Sequence, residues 1–316
     1  MEIRQGGLNT TYSIVARDPE SGNFGVAVQT HQMCVGSAVP WLEAGVGAVA
    51  TQSLTNVHFG PLGLRMLREG VAAQKVLAAL VASDPEPSLR QAAVVDSQGC
   101  CAAWTGERCI KHAGHHIGDG FSVQANMMLS DQVVSAMARA YMASKEDFAG
   151  KLMAALQAAQ QEGGDIRGMQ SAALKIVSGE THTSEGEAKV RAVYDVRVDE
   201  SEQPLLELGR LVRLRRAQLL SDAGNDLLTA GEKASALEVW ARARAMAPEL
   251  EELAYWQALA LADEPADTPG AAALLREMLE NTENRMDWLE LLRRLEPTGI
   301  MKREGAVQEL LGQIKK

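Results

Sequence analysis

Thr11-Tyr12-Ser13-Ile14-Val15-Ala16-Arg17-Asp18 is an alternating run, and its continuation decides how the N-terminal part folds. A turn-rich stretch follows, Asp18-Pro19-Glu20-Ser21-Gly22-Asn23, and then a second run, Phe24-Gly25-Val26-Ala27-Val28-Gln29-Thr30-His31. Two short runs around such a turn read as a β-hairpin. A hydroxyl residue opens that hairpin. Were the amino group of Thr11 free, nucleophile and base would sit in one residue. Threonine is also an ordinary β-branched strand starter, and spacing alone favours that plainer reading.

Outward from the hairpin, strands and helices come in pairs. Gly45 to Gln52 reads as a small-residue strand, followed by helices over Pro61 to Arg68 and Ala72 to Ala82, the second ended by Asp84-Pro85-Glu86-Pro87. Gln91 to Asp96 and Cys100 to Thr105 flank the hairpin loop Ser97-Gln98-Gly99. Phe121 to Asn126 is a further strand. Val133, Val134, Met137 and Tyr141 mark a helix face behind Ser130 or Asp131, and an Ala-rich helix spans Lys145 to Gln161. Strands return near Gln170 to Val177 and Val190 to Val198, around a polar loop, Ser178 to Ala188. This order is not βαβ alternation. It predicts an α+β fold with antiparallel sheets and helices segregated into outer layers. Two stacked sheets with helices on both outsides would bury every apolar face, but the order alone does not fix that arrangement.

Strand signals stop near Glu200-Ser201-Glu202-Gln203-Pro204, which divides the chain into residues 1–203 and a helical part, 204–316. In the latter, Gly224, Ala236, Trp240, Ala243 and Pro248 match tetratricopeptide spacing, with plain helical-hairpin packing as the equal alternative. A degenerate second unit runs through Leu253, Trp256 and Leu259, and a helix around Trp288 to Leu295 would cap the stack.

At 316 residues, 46% hydrophobic and 23% charged, the chain is long enough for two globular domains. A net charge of −10 argues against nucleic acid as a partner, and no apolar run reaches membrane-spanning length. Residues 1–10 lack the apolar core of a signal peptide, so a cytoplasmic protein is expected. Cys34, Cys100, Cys101 and Cys109 fit neither a disulfide framework nor a zinc site and read as reduced packing residues. Lys111-His112-Ala113-Gly114-His115-His116 lacks a second ordered ligand set and reads as a solvated loop. No phosphate loop, dinucleotide fingerprint or serine-hydrolase elbow is present. Polar residues at strand ends stand out instead: Gln29, Thr30 and His31; Gln52; Asn126; Gln170 and Ser171. A central sheet brings several of these to one edge beside Thr11, where they would orient a nucleophile, stabilise an oxyanion or simply satisfy one another.

TYSIVARDPESGNFGVAVQTH, AVPWLEAGVGAVATQ, FGPLGLRMLREG, AGHHIGDGFSVQANMM, GGDIRGMQSAAL and YDVRVDE together resemble domain-of-unknown-function family 1028, an uncharacterised family of the N-terminal-nucleophile hydrolase superfamily. The resemblance covers about Thr11 to Leu208, and the tail resembles the tetratricopeptide-like extension that some members carry. It implies a four-layer αββα sandwich and aligns Thr11 with the family's Thr, whose freed amine acts as base while its hydroxyl attacks an amide carbonyl. No metal or organic cofactor is then required. Thr30, His31, Asn126 and Ser171 are the accompanying catalytic candidates, and Gln29, Gln52, Asp165 and Gln170 the substrate-binding ones. The expected partner is a small amide or peptide substrate, handled by a homo-oligomer. Ten residues precede Thr11, where many members have only the initiator Met, and Phe59 stands where many have Tyr. Residues 1–10 are therefore a candidate leader: either Thr10–Thr11 is cleaved, or the true start lies later, or the site is not a working hydrolase. A chain that keeps them would instead be a non-catalytic scaffold recruiting a partner through its helical tail.

Overall fold

The computed structural model describes residues 8, 9, 11–180 and 193–314. The strand read from Val190 and most of the loop read over Ser178 to Ala188 thus fall partly outside the described residues, as does most of the leader, Thr10 included. In chain order the described strands are β1 (Leu8–Asn9), β2 (Thr11–Arg17), β3 (Phe24–Thr30), β4 (Pro40–Glu43), β5 (Gly47–Leu54), β6 (Arg90–Asp96), β7 (Cys101–Thr105), β8 (Gly114–Gly118), β9 (Phe121–Asn126), β10 (Ser171–Val177) and β11 (Tyr194–Val198). The helices of this part are α1 (Phe59–Arg68), α2 (Ala73–Ser83), α3 (Val133–Ala143) and α4 (Phe148–Gln161).

The strands form two antiparallel sheets. One has the order β1-β5-β6-β7, with β4 also paired to β5. The other has the order β11-β10-β3-β2-β9-β8, so the opening hairpin β2–β3 lies at its centre. The sheets face one another across Val15, Phe24, Val26 and Val28 on one side and Ala48, Ala50, Ala93 and Val95 on the other, all buried. The opposite face of β5–β6, with Val49, Ala92 and Val94, is covered by Leu64 and Leu67 of α1 and Val76, Leu77 and Leu80 of α2. Helix α4 closes onto β3 because Gly25 has no side chain: a Cβ there would lie 2.6 Å from Leu152 Cδ1. Asp147 caps α4 by accepting from Gly150 N at 2.8 Å.

Three strands were not read from the sequence, β1 within the expected leader, β4 and β8. β4 is short and starts at a proline, and β8 contains Gly114-His115-His116, which reads as loop. Pairing to β9 makes β8 a strand despite its poor composition.

The chain divides into two compact units, Met1–Val212 and Arg213–Lys316. The division falls within α5 (Pro204–Thr229), which α6 (Lys233–Met246), α7 (Glu251–Ala262), α8 (Thr268–Asn281), α9 (Arg285–Leu295) and α10 (Ala306–Ile314) follow. Within the second unit, buried Trp240 packs edge-on where Gly224 leaves room, and its Nε1 donates to Ser221 O at 3.1 Å. Tyr255, Leu275, Leu279, Leu292 and Leu310 continue that core through α10, a helix beyond the expected capping helix.

Candidate active site

Strand register builds the site. Ser171 in β10 pairs with Thr30 in β3, Thr30 with Thr11 in β2, and Thr11 with Asn126 in β9. Side chains at directly paired positions share a face. This face is the one turned toward the other sheet, because Val15, Val28 and Ala173 of the same strands lie in the inter-sheet core. Four buried polar residues therefore stand in one row across four strands.

Thr11 Oγ1 donates to Thr30 Oγ1 at 3.3 Å. Its carbonyl is held from both sheets: Gln52 Nε2 of β5 donates to it at 3.1 Å and Asn126 Nδ2 at 3.4 Å. Gln52 also donates to Gln91 Oε1 at 2.7 Å and accepts from Ser13 Oγ at 2.6 Å. Gln91 Oε1 accepts from Asn126 Nδ2 at 2.9 Å, and its Nε2 donates to Thr105 Oγ1 and to Ala125 O, each at 2.9 Å. Gln124 Nε2 donates to Ser13 Oγ at 2.6 Å. Every one of these amides is buried and hydrogen-bonded, so the network fixes the position of Thr11 against both sheets.

Thr105 Oγ1 lies 2.9 Å from His115 Nδ1 at the margin of this network. Beyond it a cavity of about 680 Å³ opens between Thr105, Lys111, His112 and Asp131. Burial, and secondarily the neighbouring His116, lowers the His115 imidazole below its ordinary range.

The backbone at this end is held in conformations that side chains disfavour. Among the described residues the non-glycine residues with positive φ are Cys34 (61°), Ser53 (68°), His112 (50°) and Met127 (59°). Ser53 follows Gln52 and Met127 follows Asn126. The carbonyl of His112 accepts from Met128 N, and Cys34 lies two residues from Gln32, the acceptor of the Ser171 hydroxyl. Strain of this kind persists only where surrounding structure enforces it, and it concentrates at functional sites.

The sequence-derived candidates separate accordingly. Thr11, Thr30, Gln52 and Asn126 come together as expected. Ser171 is in the row, but its hydroxyl donates to Gln32 O and accepts from Val35 N at 3.1 Å, which braces the turn after β3. Asp165 does not reach Thr11. Its carboxylate accepts from His31 N at 2.9 Å, from Arg167 N at 2.9 Å and from Arg167 Nη2 at 3.1 Å, so it is a turn clamp. His31 belongs to that clamp. Gln170 donates its backbone N–H to Thr30 O at 3.0 Å and sets the start of β10. Gln29 is corrected outright. It pairs with Tyr12, whose hydroxyl donates to Gln160 of α4, so both face the helix side of the sheet, away from Thr11. The Gln29 amide is fully buried there and makes no hydrogen bond with the protein. Ser13, Gln91, Thr105 and Gln124 were missed. Their signal was a polar side chain at every inward position near one end of otherwise apolar strands.

Among the described residues, no group of three or more His, Cys, Asp or Glu side chains is placed to hold a metal ion. All four cysteines are free thiols, and burial, with Asp96 nearby, pushes the Cys101 thiol up to about 12, which keeps it protonated. No described helix is long and apolar enough to cross a membrane.

A two-sheet α+β unit with an inter-sheet polar end around Thr11 matches, over residues 11–208, the family of unknown function DUF1028, and the chain belongs to that family. The solved structure of protein SPO2555 from Silicibacter pomeroyi, itself assigned to DUF1028, is similar at 29% identity and a TM-score of 0.58, over 65% of this chain and 85% of that one. None of the curated proteins matches the chain.

Proposed function

We propose that the protein is an amidohydrolase of the N-terminal-nucleophile type, acting on a small amide or peptide through Thr11 once residues 1–10 are removed. The observation that carries this reading is the row Ser171–Thr30–Thr11–Asn126, with the Thr11 hydroxyl on Thr30 and its carbonyl held by Gln52 and Asn126. An ordinary strand start needs no such surroundings. Apolar side chains would fill this end as they fill the other, without the cost of desolvating seven amides and hydroxyls. The helices covering β5–β6 and β3 support reading the first unit as a four-layer αββα sandwich. The fit of Trp240 over Gly224 supports a tetratricopeptide-like second unit.

In the uncut chain the Thr11 nitrogen is an amide and cannot act as a base. Self-cleavage would begin with attack of Thr11 Oγ1 on the carbonyl carbon of Thr10. The C–N bond breaks, the acyl group passes to oxygen and the nitrogen gains a proton. Water then hydrolyses the ester, releasing residues 1–10 as a carboxylate and leaving a free Thr11 amine. In the mature chain that amine takes the proton from its own hydroxyl through water, and the oxygen attacks the substrate carbonyl. The proton passes to the leaving amine, and a second water frees the acid. Thr30 and Asn126 orient the nucleophile in both reactions.

Intact-mass analysis of the purified full chain tests this. The expected result is loss of the first ten residues in the wild type, slower loss in Thr11→Ser and none in Thr11→Ala, with amide hydrolysis down at least about 10³-fold in the last. Hydrolysis by a chain that still carries residues 1–10, or by Thr11→Ala, would overturn the proposal. An inert wild-type chain that keeps its leader would favour the scaffold reading.

A further inference from the structure

We infer that the edge of β5 at Ser53–Leu54 is a strand-addition site for the acyl side of a peptide substrate, and that the leader is its first occupant; this rests on the reading of Thr11 as nucleophile. β1 pairs antiparallel with β5, Leu8 opposite Leu54 and Asn9 opposite Ser53. One residue later the chain enters β2, in the other sheet, at Thr11. Leu8 and Asn9 thus lie on one sheet while Thr11 belongs to the other. The same strand serves both, because Gln52, next to Ser53, donates to the Thr11 carbonyl at 3.1 Å. A chain laid along this edge is therefore indexed to Thr11 by β5 itself.

The edge is short. Pro40–Glu43 of β4 pairs with Gly47–Ala50 on the same side of β5, and Thr51 N donates to Val39 O, so neighbouring chain occupies the edge as far as Thr51. Among the described residues the Ser53–Leu54 end is the part left for a guest, and two residues, Leu8 and Asn9, pair there. Its shape is fixed from behind: Arg90 Nη1 donates to Leu54 O at 2.6 Å, and Arg90 is itself paired with Asp84. The positive φ of Ser53 bends β5 where the guest strand begins. Strand addition reads backbone rather than side chains, since ladder hydrogen bonds supply the attraction. The substrate class that fits is an extended peptide with two residues ahead of the one whose carbonyl is attacked. Single amino-acid amides lack the paired part. Cleavage would empty the site, so the leader acts first as substrate and then as a competing product.

Two measurements on the chain beginning at residue 11 test this. The first is hydrolysis of the p-nitroanilides of Thr, Asn-Thr, Leu-Asn-Thr and Gly-Leu-Asn-Thr. Expected is a rise in kcat/KM of about tenfold for the two paired residues together and no further rise for the fourth, with backbone N-methylation of Asn or Leu undoing it. The second is calorimetric binding of the decapeptide of residues 1–10 to the Thr11→Ala form, lost on N-methylation at Leu8 or Asn9. Hydrolysis that ignores length and N-methylation, or no decapeptide binding, would overturn strand addition and leave Thr11 chemistry standing. Decapeptide binding without hydrolysis of any anilide by the Thr11 form would remove the chemistry and leave the peptide site.

Discussion

The space between the two sheets has two ends built on opposite principles. At one end Val15, Phe24, Val26 and Val28 meet Ala48, Ala93 and Val95, with Ser122 opposite Val15 and Arg17 opposite Phe24 as the polar neighbours on that face. At the other, Thr11, Ser13, Thr30, Gln52, Gln91, Gln124 and Asn126 fill the same gap with hydroxyls and amides, all equally buried. The apolar end holds the sheets together through area removed from water. The polar end gains little net stability per bond but tolerates only one arrangement, since any misplaced amide strands its partners. Stability and positioning are thus separated along a single sheet interface, and substitutions at the two ends should fail differently.

The largest loss of stability is expected at the apolar end. Phe24→Ala, at a site only 1% exposed, should cost about 3–5 kcal/mol in urea denaturation, while the molecules that remain folded still shed residues 1–10 at the normal rate. Gln52→Ala should cost less, about 2–3 kcal/mol, by leaving Ser13, Gln91 and the Thr11 carbonyl short of partners. Its cleavage rate, followed by intact mass, should nonetheless fall about 100-fold or more. If Phe24→Ala slows cleavage as strongly as Gln52→Ala, the two ends are not functionally distinct. Thr30→Val narrows the comparison further. It keeps the side-chain shape and removes the acceptor of the Thr11 hydroxyl, so stability in urea denaturation should fall by about 1 kcal/mol. Cleavage should slow by about tenfold or more.

The contrast between the ends also explains what could be read before the structure. Alternation marked β2, and short runs bounded by turn or loop residues marked β3, β6 and β9. Thr11 was legible as the hydroxyl opening the hairpin, and Gln52 and Asn126 because a polar residue closing an apolar strand is conspicuous. Which face such a residue takes was not legible. Gln29 and Thr30 are neighbours in sequence, yet they point to opposite sides of the sheet, and only register decides which belongs beside Thr11. Gln91 and Gln124 were missed for the same reason: each acquires its role from a strand distant in sequence. Asp165 entered as a substrate-binding candidate with the family resemblance, while its local pattern, Gly163-Gly164-Asp165, is that of a turn. Its backbone and side-chain donors come from the turns at 31 and 167, which local pattern does not place together. In the second unit the Gly224–Trp240 fit followed spacing, whereas α10 carried no repeat signature.

The smallest expected effect on function lies just outside the polar end, and it depends on pH. Asp84, buried behind the edge of β5, is raised by desolvation, but that is outweighed by its bonds with Arg90 Nε at 2.9 Å, Asn56 Nδ2 at 2.7 Å and Glu86 N at 2.8 Å, together with the Arg90 charge. The net result is a carboxyl held below its ordinary range. An unfolded aspartate titrates near about 3.9, so between that value and the lower folded one the unfolded chain binds more protons. The stabilisation from this carboxylate is therefore complete above about pH 5 and is lost as pH falls through the folded value. Asp84→Asn should lower the free energy of unfolding by about 1–2 kcal/mol at pH 7, and the gap to wild type should close progressively below pH 4. Because Arg90 also holds Leu54 O, the variant at neutral pH should weaken decapeptide binding several-fold while leaving the Thr11–Thr30 and Gln52–Gln91 bonds in place. A gap that stays constant from pH 7 to pH 3 would mean that Asp84 acts by packing alone, and the β5 edge would lose its electrostatic support.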